Sequence, residues 1–390
     1  MPSSNSTCAT PSLLQPISNE DACTTYFAEL IDEMPFAVSQ FGLVLTTALE
    51  GKQAKADSGP AQLHFRSKVI PVSDSADEEP VDFTNFDVTF NPSLFTTFSA
   101  RCEPLLMRAA ATATIVDTDI NLYELNPDEL ANRATSENFV EALKKLDDPW
   151  IQGHYQNFLA FIPNMIEHWS AERTRQGLDA KKLGCFCIND IWRLPLASLA
   201  SKPLTIWTRA VKFVISEEDL LKAEPEIRAR CQQLEEEQGL VLGPMTENDI
   251  KLMLECNKVS YSEEYGKWIV KRSRCFRNKQ GDMVAWAGTH GDFSIAALHV
   301  LPEYRKAGLG KLILNSLALF HMRLAREVLA FSENKEEEDV STSSLFAHAD
   351  CVEGNLPTMA FMERCGWRRV GIYNWFEMSC NGDSVEDNQK

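Results

Sequence analysis

Residues 294–310 constrain this chain more than any other stretch. Ser294-Ile-Ala-Ala-Leu-His-Val-Leu301 reads as an apolar strand, Pro302-Glu-Tyr304 turns it, and Arg305-Lys306-Ala307-Gly308-Leu309-Gly310 runs directly into a helix expected over residues 309–331. Ile313, Leu317, Phe320, Leu324 and Val328 share one face of that helix. Glycines let the backbone approach a ligand closely, successive amides point into the loop, and the helix N-terminus adds partial positive charge. A turn of this kind cradles a pyrophosphate. Over residues 301–330 the basic residues Arg305, Lys306, Lys311, Arg323 and Arg326 outnumber Glu303 and Glu327. The surplus stands out because the whole chain carries 38 Lys and Arg against 56 Asp and Glu, a net charge of −18. That balance repels nucleic acid and anionic membranes at long range, so neither is an expected partner. Screening beyond roughly 8–10 Å still leaves a small anion free to bind a local basic loop.

At 390 residues the chain is too long for one ordinary core, and two domains are expected. Residues 1–20, rich in Ser, Pro, Thr and Asn with no Lys or Arg, read as a disordered tail; residues 21–215 as an N-terminal α/β domain; 216–239 as a charged connector; 240–380 as a C-terminal domain; 381–390 as an acidic tail. In the first domain, 63–72 and 206–215 have strand character, 73–80 is an acidic loop, and 136–146 and 155–169 have helical spacing. Trp150, Tyr155, Phe158, Phe161 and Trp169 are read as core packing. The connector carries eight acidic residues against Lys222, Arg228 and Arg230, and Pro225 interrupts it. Ser216 with Asp219 has the form of a capping box.

The C-terminal domain reads as strand 240–242, a helix capped by Thr246 and Asp249, a helix over 263–270, a meander of strands 274–277, 283–289 and 294–301, and the long helix. An acidic insertion at 333–342, a strand at 345–350, a helix at 355–365 and closing strands over 367–378 complete it. No stretch reaches eighteen consecutive apolar residues, so no membrane span is expected. The N-terminus fits neither a secretory leader nor an Arg-rich presequence, which favours a cytoplasmic location over the mitochondrial matrix. Eleven cysteines without a CxxC pair suit reduced thiols; Cys185 and Cys187 read as small buried hydrophobes, and no metal site is expected.

Leu298-x-Val300-x-Pro302-x-x-Arg305-x-x-Gly308-x-Gly310, followed about 45 residues later by Asn355 and then Gly366-Trp367, resembles the GNAT superfamily of N-acyltransferases over roughly Leu240 to Met378. Ser273-Arg-Cys-Phe276, Gly281-Asp-Met-Val-Ala-Trp286, Leu301-Pro-Glu-Tyr-Arg305-Lys-Ala-Gly-Leu309 and Trp375 look like the C-terminal domain of the glycine N-acyltransferase family. The resemblance implies an α/β fold with a central mixed sheet, flanked by helices and splayed between its fourth and fifth strands. By layout alone it implies that residues 21–215 are a second, degenerate domain of the same type. Acyl-CoA would lie in the splay as co-substrate, its pantetheine arm paired with main-chain groups of Leu298 and Val300. Arg305, Lys306, Ala307, Gly308, Leu309, Gly310 and Lys311 would hold the pyrophosphate, and Asn355 would contact the coenzyme. A small-molecule amine would then attack the acetyl or longer acyl thioester directly.

Two departures bear on catalysis. The carboxylate or histidine that many superfamily members carry at the start of the fourth strand to accept the proton corresponds to Ser294, and a tyrosine often found seven residues after the asparagine corresponds to Met362. Ser294 and the neighbouring Asp292 are therefore the catalytic candidates, with Asp292 or a water chain removing the proton. His299, opposite in alternation to Leu298 and Val300, reads as a packed histidine, and His299 and His348 are the next bases to consider. Cys351 is not read as a nucleophile, since no histidine is placed to activate it. Three functions stay open: transfer to a small amine such as an amino acid, acetylation of another amine or of a protein N-terminus, and acyl-CoA binding without turnover.

Overall fold

The chain is described from a computed structural model. The described residues are 14–17, 34, 39, 42–43, 45–46, 49, 63–69, 84–91, 95–100, 103–112, 132–145, 148–175, 177, 180–333 and 345–379. Of the segments discussed above, 1–13, 73–80, 334–342 and 380–390 lie outside them.

Strands and helices alternate along the chain, and those of the second half fall largely where the sequence places them. In the first half these are β1 (Leu14–Ile17), β2 (Leu63–Val69), β3 (Thr84–Asn91), β4 (Phe95–Ala100), α1 (Glu103–Thr112), α2 (Ser136–Lys145), α3 (Pro149–Arg175), β5 (Lys182–Asn189), α4 (Arg193–Leu199) and β6 (Thr205–Ser216). Helix α5 (Glu217–Gln238) joins the halves. The second half holds β7 (Val241–Gly243), α6 (Ile250–Cys256), α7 (Glu263–Lys271), β8 (Arg274–Arg277), β9 (Met283–Thr289), β10 (Ile295–Val300), α8 (Leu309–Glu333), β11 (Phe346–Val352), α9 (Leu356–Arg364) and β12 (Arg368–Ser379). The aromatic stretch on α3 is core: Phe158, Phe161 and Trp169 are buried, and Phe158 stacks on Trp192 at 4.1 Å.

Among the described residues the strands form one twelve-stranded mixed sheet in the order β1-β2-β3-β4-β5-β12-β6-β11-β10-β9-β8-β7. Read from either end, the order repeats. Four antiparallel strands lead to a parallel step held by a single residue pair, Thr96↔Cys185 at one end and Ile295↔Ala349 at the other. Each half then sends its last strand across to the other: β12 pairs antiparallel with β5, β6 with β11, and β6 and β12 with each other. The expected fold class, an α/β mixed sheet splayed at its fourth and fifth strands, is the one this chain adopts, and the first half repeats its topology. The two halves differ in the link from fourth strand to helix. Only Arg101 and Cys102 separate β4 from α1, neither is glycine, and the helix opens on Glu103.

Three expectations need correction. Residues 14–17, placed in a disordered tail, form β1 antiparallel to β2; Pro16 is tolerated because β1 is an edge strand. Residues 216–239 are not a broken connector. Ser216 accepts from the Asp219 amide at 3.1 Å, Gly239 closes the helix in the left-handed region, and Leu220, Ile227 and Leu234 fall seven residues apart on the buried face of α5. Packing of that face on α8, with Arg323 and Arg326 paired to Glu224 and Glu217, holds the helix through Pro225. Finally, the sheet runs without a break across the 216–239 boundary, because β6 from one half lies between β11 and β12 of the other.

Candidate functional site

The splay lies where β10 meets β11. Beyond Ile295↔Ala349 the two strands part, and β10 also leaves its other neighbour: its register against β9 shifts between Ala296 and His299. Ala297 sits at φ 52, a conformation unfavourable for a residue with a Cβ, so the bulge is held by its surroundings. A bulge leaves its extra residue out of the ladder and turns the strand. Ala297 and Leu298 are thereby left out of the ladder with β9.

At the far end of β10 the chain makes a turn of 3₁₀ helix at Pro302–Tyr304 and enters the expected loop. Lys306 at φ 66 and Gly308 at φ 83 both occupy the left-handed region, and a Cβ built on Gly308 would meet nothing within 4 Å. The Leu312 amide donates to the Gly308 carbonyl at 3.2 Å; the amides before it belong to the first turn, which has no intrahelical acceptors. Open space above exposed amides at a helix N-terminus is what a bound diphosphate requires. Gly310 serves a different purpose: a Cβ there would press on the Phe361 ring at 3.3 Å, so its absence seats α8 against α9. Arg305 donates from Nε to the Val300 carbonyl at 3.0 Å. Arg323 and Arg326, counted with this basic surface in the sequence, are engaged by α5 instead, which leaves Arg305, Lys306 and Lys311 at the loop. Asn355 caps α9, its carbonyl accepting from the Thr358 and Met359 amides. Met362 is buried.

At the vertex of the splay the structure assembles a polar cluster. Asp292 Oδ1 accepts from the Ser294 amide at 3.1 Å and from the Ser294 hydroxyl at 2.6 Å, and its Oδ2 lies 3.4 Å from His348 Nε2. Burial alone would raise the Asp292 carboxyl. With His348 protonated, its hydrogen bond and charge, together with the charges of Lys212 and His290, outweigh it and hold the group far below the usual carboxylate range. Lys212, fully buried on β6, contacts both Asp350 oxygens at 3.0 and 3.2 Å, donates to Ser39 Oγ at 2.9 Å and lies 4.7 Å from the Tyr373 ring centre. Ser39 Oγ also lies 3.3 Å from His348 Nε2 and 3.1 Å from Cys187 Sγ. Cys187, Asp292 and Asp350 are close enough to share an ion. The Lys212 ammonium already stands at Asp350, and burial pushes the Cys187 thiol up to about 12, which suits an ion-paired lysine better than a metal.

An aromatic wall flanks the cluster. Tyr265 Oη and Tyr261 Oη lie 2.9 and 3.3 Å from the two ring nitrogens of His290, whose pKa burial lowers. From the other side, Gly42 approaches so closely that a Cβ on it would fall 1.8 Å from the Asp292 carbonyl oxygen, and the Thr46 hydroxyl donates to the Gly291 carbonyl at 2.7 Å. His299 stacks on Trp286 at 4.8 Å, as a packed histidine does. Burial pushes the Cys351 thiol up to about 11, away from nucleophilic use near neutrality.

The splayed sheet that the resemblance implies is present. Comparison with known proteins adds little to it. No family profile matches the chain, and no curated protein matches it. Among solved structures it is similar to a Drosophila protein determined by a structural genomics consortium, at 12% identity over 95% of this chain and 100% of that one, with a TM-score of 0.47. It is also similar to a tandem GNAT protein from the clavulanic acid biosynthesis pathway (10%, 95% and 99%, 0.37) and to a GCN5-related N-acetyltransferase from Sphaerobacter thermophilus (10%, 86% and 86%, 0.34). Likeness at this level carries no functional conclusion.

The structure brings the two catalytic candidates, Asp292 and Ser294, together at the vertex, with the loop 305–310 at the other end of β10. Sequence reading missed Ser39, Cys187, Lys212, His290, Tyr261 and Tyr265. Lys212 had a signal: a lysine within the apolar run Ala210–Ile215 must be paired if the strand is central. Nothing local names its partner.

Proposed function

We propose that the chain is an acyl-CoA-dependent N-acyltransferase that moves an acetyl or longer acyl group to the amine of a small molecule. The observation that carries this is the gap between β10 and β11, closed by one residue pair at its vertex and opening onto the glycine loop. Its shape suits a ligand with an anionic end at Arg305–Lys311 and a thin arm along β10 beside Leu298 and Val300. The reactive end would then reach the vertex, where Asp292 and Ser294 lie. Asn355, at the start of α9, would border the arm. The close approach of Gly42 and Thr46 to Asp292 and Gly291 favours a small acceptor over a protein N-terminus.

Acetyl-CoA should bind the wild-type chain by calorimetry. Gly308→Glu should abolish binding, because it places a carboxylate in the open space over the amides and demands φ 83 of a residue with a Cβ. Arg305→Ala should weaken binding and flatten its salt dependence. Equal affinity in wild type and Gly308→Glu would refute the cradle. Release of free thiol with and without a panel of primary amines separates a transferase from a silent binder. The second reading draws on Ser294, a hydroxyl where the related pattern has a carboxylate.

A further inference from the structure

The vertex cluster holds a proton acceptor that the strand pattern does not assign. We infer that His348 is the general base of the acyl transfer, that Asp292 is the carboxylate that stabilises its imidazolium, and that Ser294 positions Asp292. The inference rests on the acyl-transfer reading above.

Placement comes first. His348 is the β11 neighbour of Ala349, the residue that makes the single pair with β10, so its side chain projects from the vertex. Ala349 packs into the core cluster that contains the α8 side chains, and alternation turns His348 to the other face, toward Asp292 and Ser294. Six residues of β10 span about 20 Å between vertex and loop. A thioester carried on an extended arm from the loop therefore arrives beside His348.

Protonation comes second. Ser39 Oγ accepts from Lys212 Nζ, so its own proton is free to be donated, and His348 Nε2 is one of its acceptors, at 3.3 Å. An imidazole that accepts there is neutral, with its lone pair on the side of the cluster. Asp292 Oδ2, at 3.4 Å from the same nitrogen, becomes a counter-ion once Nε2 is protonated. In the reaction the amine nitrogen bonds to the thioester carbonyl carbon and its proton passes to His348 Nε2. The C–S bond breaks, and the leaving thiolate takes the proton from the imidazolium, directly or relayed through a water, which returns His348 to its neutral form.

The alternatives are less suited. Asp292 is less suited because its Oδ1 is already occupied by two bonds from Ser294. The Ser294 hydroxyl is itself a donor. His290 is enclosed by Tyr261 and Tyr265. The Thr289 hydroxyl donates to the Arg272 carbonyl and so accepts from His321 Nε2, and burial pulls His321 down to about 3. The charged and titratable groups around His348 are Asp292 and His290 from the turn before β10, Lys212 from β6, Asp350 from its own strand and His321 from α8. Burial disfavours the charged form of both other histidines.

The test measures thiol release from acetyl-CoA with the amine panel across about pH 5 to 8, the range in which an imidazole titrates. Wild type should show an acidic limb in kcat/KM. His348→Gln should lose that limb and roughly 10²-fold or more in rate while binding acetyl-CoA as before by calorimetry. Asp292→Asn should keep the limb but move it to lower pH, because the imidazolium loses its counter-ion. A limb that survives His348→Gln, or that Asp292→Asn removes, overturns the assignment. NMR of imidazole-labelled wild type guards against variants that fail to fold: the His348 resonance must titrate with the kinetic limb, and one that stays fixed across it refutes the base role. Failure of wild type to bind acetyl-CoA would remove the cradle as well. Binding without thiol release for any amine would leave the cradle standing and overturn this inference alone with the transferase reading.

Discussion

Replacing Lys212 by methionine should be among the most damaging single changes this fold can suffer. The ammonium is fully buried, touches both Asp350 oxygens, donates to Ser39 and sits over the Tyr373 ring. Burial alone would lower its pKa; the charges of Asp350 and then of Cys187 and Asp292 reverse that and raise it. An exposed ion pair is worth about 0–1 kcal/mol, but removing one partner of a buried pair costs about 3–5 kcal/mol, since the other charge is left unsolvated. Here two carboxylates, Asp350 and Asp292, would lose their cation, so the upper part of that range is expected. Lys212 has a raised folded value, so its contribution is complete below the ordinary lysine value of about 10.4 and is lost only as pH rises through the folded one. Asp292 has a depressed folded value, so its contribution is present above the ordinary aspartate value of about 3.9 and is lost as pH falls through the folded one. In Lys212→Met, Asp292 loses one of the charges that hold its folded value down, and the deficit must therefore shrink as pH is lowered from about 7 toward 4. Urea unfolding at several pH values reads both quantities. Lys212→Met with Asp350→Asn should recover part of the loss, with a coupling of about 1–3 kcal/mol. A neutral-pH deficit under about 1 kcal/mol, or one that does not shrink on acidification, would show the pair to be solvated and the reasoning wrong.

Two further outcomes follow from the exchanged strands and from the close approach at Asp292. A fragment of residues 240–390 should be insoluble when expressed alone, because β11 and β12 both lose β6 and β12 also loses β5, leaving long unpaired edges; co-expression with residues 1–239 should restore it, and a soluble, cooperatively folding fragment would contradict the pairing. Gly42→Ala should lower thermal stability and raise the exposure of the vertex, since its Cβ would fall 1.8 Å from the Asp292 carbonyl oxygen; unchanged melting and unchanged hydrogen exchange at Phe293 and Ser294 would refute that contact.

What the sequence determined by itself is what local geometry determines. Strands 274–277 and 283–289 fall where alternation puts them, and the loop 305–310 with the helix behind it is set by glycine conformations and a 3.6-residue period that act within a few residues. The same local logic predicted the Ser216 cap, yet it overweighted Pro225 and the acidic run and missed that Leu220, Ile227 and Leu234 would bury one face of α5. Tertiary structure alone decided which strands pair. An antiparallel edge accepts any strand of suitable pattern, so nothing in Thr205–Ser216 announces that it joins β11 and β12 rather than β5. The same holds for the vertex: Ser39, Cys187, Lys212, Asp292 and His348 come from five separate segments. A buried charge in Lys212 demands a partner on physical grounds, but only the exchange of β6 between the halves brings Asp350 and Asp292 to it.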